Sequence, residues 1–156
     1  EAYRFDPPGA ELTFAQRLAR ENRWSLDFAE AAIREYKRFA FLCMCEPPAT
    51  PSHQVDQVWH LHLTFTRTYW EDFCFRVLPR PLHHNPTQGG PAEHAKYWRQ
   101  YASTLQAYAR HFGHPPPREF WPPPEIRFGR DTEHCTVSLV DYWLVPRPRW
   151  APRLEP

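Results

Sequence analysis

The chain has 156 residues, and its 19 basic side chains nearly balance its 18 acidic ones, for a formal net charge of +1. A balance this even leaves no bulk electrostatic footprint for nucleic acid, and the length suits one domain that can bury a core without disulfide or metal staples. Aromatic residues make up 16% of the chain beside 19 Pro and only 5 Gly; such aromatic density excludes a disordered polymer, so the prolines belong to ordered turns and extended segments. No apolar run is long enough to span a membrane. The opening residues EAYRFDPPGA lack the basic and apolar regions of a signal peptide. The chain does not begin with Met, which leaves a removed leader open, and a cytoplasmic setting is expected. The cysteines, Cys43, Cys45, Cys74 and Cys135, read as small buried hydrophobes in a reducing compartment. A soft-metal group of Cys43, Met44 and Cys45 is the weaker alternative.

The predicted fold is mainly α: about four helices in one compact domain, with a helical core over about 12–113 and a Pro-rich, extended C-terminal arm over about 114–156 packed on it. Thr13 with Gln16 forms a capping-box pattern for a first helix over about Phe14–Arg23. Ser25 caps a second, in which Phe28, Ala32, Tyr36, Phe39 and Cys43 recur at the helical period. The EPPATP segment stops it, because clustered prolines cannot continue the backbone bonding. Ser52 caps a third helix, expected to run unbroken over about His53–Val77. The irregular loop LPRPLHHNPTQGG follows, then a fourth helix from Pro91 to about Phe112, closed by Gly113. HPPPREFWPPPEIRF is expected to be extended, and CTVSLVDYWLV, residues 135–145, reads as one strand or arm.

Turned at the helical period, the third helix separates into two faces. Val55, Val58, His62, Phe65, Tyr69 and Phe73 form an apolar stripe, with His62 in its middle as a buried, hydrogen-bonded core residue. His53, Asp56, His60, Thr64 and Arg67 form the opposite stripe. Asp56 and His60 stand four apart, a spacing at which two side chains can share a metal. The stiff RPLHH loop adds His83 and His84, so the candidate metal ligands are Asp56, His60, His83 and His84. The expected ion is a divalent transition metal such as zinc, with Glu93 and His94 as residues that complete or orient the site. Gly89 and Gly90 before the fourth helix offer a weak anion seat, since Pro91 removes one donor.

The segments PSHQVDQVWHLHLTFTRTYW, RPLHHNPTQGG and YASTLQAYARHFGHPPPREFWPPP resemble the glycine-rich domain-containing protein-like family, in its bacterial stand-alone members, over about residues 14–128. The VDxVWHxH element, carried by Val55, Asp56, Val58, Trp59, His60 and His62, is the most specific part. Larger plant members append a glycine-rich region that this chain lacks. The resemblance implies a region, Asp56 to His62 with His83 to Gly90, and no particular reaction. Three functions remain open: a metal-binding domain or metal-dependent enzyme of unspecified small-molecule substrate; a metal-free interaction module that meets a protein partner through its C-terminal arm; and a metal-free acid–base enzyme with a His poised by Asp56. Neither nucleic acid nor membrane is an expected partner.

Overall fold

Each of the first three helices begins where a side-chain oxygen meets the free amides of a first turn. In the computed structural model, which describes residues 3–129, Thr13 and Gln16 form a reciprocal capping box at the start of α1 (Phe14–Asn22). Ser25 accepts from the amide of Phe28 to open α2 (Leu26–Cys45), and Ser52 from that of Val55 to open α3 (His53–Thr64). A π-helical segment, π1 (Thr68–Val77), follows, then α4 (Pro91–Phe112) and the single turn α5 (Pro124–Arg127). The fold is all-helical, with no strand among the described residues, and none of the described helices is long and apolar enough to cross a membrane. The expected arm over residues 135–145 lies outside the described residues, as does Cys135.

The helix α2 is central and packs against α1, α3 and α4. Tyr36, Phe39 and Leu42 of α2, Val55 and Val58 of α3, and Tyr101 and Tyr108 of α4 meet in one core. Pro91 supplies the first position of α4, and Gly113 ends the helix at φ 74°, a left-handed conformation that glycine adopts without penalty. Cys43 and Cys74 are buried, and burial pushes the Cys43 thiol up to about 12, against the pull of Arg80. Cys45 is exposed, so the expectation of a buried thiol fails there.

The unbroken third helix is also corrected. α3 stops at Thr64, and Phe65 leaves helical geometry at ψ 54° with its amide bonded to the carbonyl of His62. The Thr64 hydroxyl bonds the Leu61 carbonyl at 2.7 Å, and the Thr68 hydroxyl bonds the Phe65 carbonyl at 3.2 Å. These local bonds compete with the backbone ladder in a run of β-branched and aromatic residues, where helix propensity is low. The chain resumes as π1, whose wider turn is closed by the Leu78 amide on the Phe73 carbonyl, five residues back. Tyr69, Phe73 and Cys74 still reach the core.

After Gly113 the proline-rich segment turns back over α2 and α4. It is not uniformly extended as its composition suggested: the amide of Trp121 bonds the carbonyl of Pro117, and α5 forms where Pro124 sits in a first turn. Phe120 and Trp121 are buried, and the Trp121 indole N–H donates to Glu35 of α2 at 2.9 Å. Glu35, a buried carboxylate, also accepts from Arg38 at 2.7 Å, so both of its oxygens are engaged. Trp121 thereby anchors the described part of this segment, residues 114–129, to α2.

Candidate metal centre

Asp56 and His60 lie one turn apart on α3, on the face that leaves the core. The loop after π1 is brought to them by three anchors. Arg80 donates to the carbonyls of Cys43 and Met44 at the end of α2, at 2.9 and 3.1 Å, where a helix exposes partial negative charge. Leu82 is buried, and its carbonyl accepts from the Tyr69 hydroxyl, which in turn accepts from the Trp59 indole N–H at 2.9 Å. Beyond that point the His84 ring stands edge-on to Trp59, with centroids 4.6 Å apart. The side chains of Trp59 and Tyr69 thus set the register of the loop against α3.

With the loop so held, one imidazole completes a cluster. His84 Nε2 lies 3.1 Å from Asp56 Oδ1 and 3.1 Å from His60 Nε2, and His60 Nε2 lies 3.5 Å from Asp56 Oδ2. One donor atom from each of Asp56, His60 and His84 falls within 4.8 Å of the others. A neutral imidazole presents either a proton or a lone pair at Nε2, so a single His84 proton cannot serve both neighbours well. A cation between the groups would satisfy all of them. Ligands about 2.0–2.1 Å from a tetrahedral zinc stand roughly 3.3–3.4 Å from one another, and the observed separations of 3.1–3.5 Å lie to either side of that spacing. Side-chain exposure falls from 49% at His60 to about 20% at Asp56 and His84, so the cluster is sunk at one end and open at the other.

A cleft of about 520 Å³ adjoins the sunken end. Asp56 and Trp59 of α3, the 83–90 loop, the start of α4 and the α5 turn wall it. Gly90, at φ 89° and ψ 162°, turns the loop into α4 through a conformation open almost only to glycine.

His83, expected among the ligands, takes no part in the cluster. It is exposed, and its ring rests 5.4 Å from that of Trp70; adjacent residues in an extended loop point opposite ways. Glu93 caps the loop instead, accepting from the Thr87 hydroxyl and, at 2.7 Å, from the Gln88 amide, contacts that hold its carboxyl below the usual range. His94 lines the cleft and donates from Nε2 to the Phe128 carbonyl at 3.2 Å, tying α5 to α4. His62 lies on the far side of α3, buried, with Nδ1 3.0 Å from the Tyr36 hydroxyl and Nε2 3.2 Å from that of Tyr3. The sequence reading missed Arg127, which also lines the cleft; a cation beside a run of prolines carries no periodic signal.

Residues 1–106 match the family described as UCP032817-like. The chain belongs to the UCP032817-like family. The matched span holds Asp56, His60 and His84 and ends within α4, before the α5 turn that carries Arg127. The likeness to glycine-rich domain-containing proteins remains a resemblance, since the UCP032817-like match carries a different description. No curated protein and no solved structure matches this UCP032817-like chain.

Proposed function

We propose that this UCP032817-like chain is a metal-binding helical domain in which Asp56, His60 and His84 hold a divalent transition metal that acts on a small molecule in the adjoining cleft. The observation that carries the reading is the meeting of three donor atoms from two separate elements within 4.8 Å. Three protein ligands with an open side are the pattern of catalytic rather than structural zinc. Two His and one carboxylate also suit ferrous iron. Such an ion supplies Lewis acidity, or water activated near neutral pH. The chain's own part is to fix the donors: Asp56 and His60 through one turn of α3, and His84 through the Trp59–Tyr69–Leu82 relay.

Elemental analysis of protein purified without a metal-affinity column tests this. The expected result is close to one zinc or iron per chain in the wild type. Asp56→Asn, His60→Ala and His84→Ala each weaken retention by more than the roughly 10–100-fold that loss of an orienting neighbour costs, and His83→Ala leaves it unchanged. Wild-type protein without bound metal that also takes up none from buffered zinc or ferrous iron overturns the proposal. The 3.1 Å contact of His84 with Asp56 supports a second reading, an acid–base pair without metal, which that same null result would favour.

A further inference from the structure

We infer that the cleft beside Asp56 and His84 receives a ligand bearing an oxyanion, a carboxylate or phosphoryl group, and that Arg127 is the residue that selects it. The inference deepens the metal-binding reading and rests on it for what happens at the ligand's other end.

The first support is the state of Arg127 itself. Its Nε is buried and has no hydrogen-bond partner. Neither a carboxylate nor a carbonyl among the described residues accepts from this guanidinium; its neighbours include the Phe128 ring, 5.0 Å from Cζ, and Tyr101, whose hydroxyl feels its charge and donates to the Pro122 carbonyl. A face-on aromatic steadies a cation but accepts none of its N–H bonds in the guanidinium plane. Buried arginine donors are ordinarily matched by an acceptor, and the partner a guanidinium fits best is a two-oxygen anion.

The second support is the charge around the cleft. Asp56 is the sole acidic side chain among its described lining residues, and its oxygens face His60 and His84. Arg127 and His94 stand on the wall formed by α4 and α5, where no carboxylate lines the cleft; Glu93, at the start of α4, is taken up by Thr87 and Gln88. Gly89 and Gly90 put the start of the 22-residue α4 on the same wall, where the helix dipole adds to the positive field. Pro91 removes one donor there, so the helix reinforces the guanidinium and does not replace it.

The third support is rigidity. The Arg127 amide bonds the Pro123 carbonyl at 3.1 Å, and His94 holds the next residue's carbonyl at 3.2 Å. Arg127 is therefore carried on a turn fixed by proline and by α4, as a positioning group for a charged ligand should be.

The test titrates acetate and methyl phosphate by calorimetry into zinc-loaded wild type, R127Q and R127K at constant ionic strength. At least one anion is expected to bind the wild type, to bind R127Q at least tenfold more weakly, and to recover in part with R127K. The preferred anion distinguishes a carboxylate ligand from a phosphorylated one. Wild type that binds neither anion, or a folded R127Q that binds both as tightly as wild type, overturns the inference. Following the Arg127 guanidinium resonances, Nη–H as well as Nε–H, of the wild type during the titration reads the contact without any variant: a shift supports it, and a full set unmoved at saturation overturns it. Zinc content of the same samples separates the two readings. Arg127-dependent binding by protein that holds no zinc keeps the oxyanion site and removes the metal centre; zinc-loaded protein without Arg127-dependent binding does the reverse.

Discussion

His62 joins Tyr3 of the N-terminal segment to Tyr36 of α2 through its two ring nitrogens, with Phe5, Tyr69 and Phe73 around it at centroid distances of 4.8, 4.9 and 4.8 Å. Burial pushes its pKa down to about 3, from the ordinary 6.5. The unfolded chain therefore binds a proton between those values that the folded chain refuses. The stabilisation is complete above about pH 6.5 and is lost as pH falls toward 3, at up to about 1.4 kcal/mol per pH unit. His62→Leu removes that slope and leaves two tyrosine hydroxyls short of a partner. At neutral pH it is expected to destabilise the fold by about 1–3 kcal/mol, with a shallower acid limb than the wild type, as read from urea midpoints across pH. Metal content should not change. His62 was legible in the sequence because one buried polar residue on an apolar stripe has few places to go. The choice between His83 and His84 was not, because it depends on the ring of Trp59, and nothing in the spacing of adjacent loop residues reveals which one meets it.

Among the elements, the caps were legible one by one, since Thr13, Ser25, Ser52 and Gly113 act through their own local chemistry. The break after Thr64 was hidden by periodicity: Tyr69 and Phe73 continue the apolar stripe even though the chain has passed into π geometry. The break matters to the site, because it is Tyr69, on π1, that receives Trp59 and holds Leu82. The local form of the proline-rich segment over residues 114–129 was not legible, since composition reveals rigidity without direction. Trp121 closes the cover that this arm lays over α2. Trp121→Ala is expected to cost about 3–5 kcal/mol in denaturant unfolding, as for other large core aromatics. Trp121→Phe keeps most of the packing but takes the indole donor from Glu35, so a smaller loss of about 1–3 kcal/mol is expected. Equal losses in the two variants would mean that the hydrogen bond, and not the packing, fixes the arm.

At the scale of the whole molecule, the cleft gathers walls that lie far apart in sequence, from the 49–51 linker to Phe128. That distance is why the sequence revealed its α3 wall, its loop and His94 on α4 but not the α5 turn that carries Arg127. Its two banks also differ in kind. Asp56 and His60 ride on α3, which is capped and packed against the core, whereas His84 rides on residues 81–89, which have no regular secondary structure. On the metal-binding proposal, an ion shared between them would act as a removable clasp across the 24 positions that separate His60 from His84. At a free metal concentration 100 times Kd the linkage is worth about 2.7 kcal/mol, or roughly 5–10 °C in Tm for a chain of this size. The loop, as the weaker bank, should gain most: limited proteolysis is expected to cut within 81–89 in chelator-treated protein and to spare those bonds once zinc is restored. Cutting at equal rates in both states would show that the loop needs no clasp. If the bonds are spared, the supply of metal also sets how long the folded chain survives among proteases, so that a coordination event is read out as a lifetime.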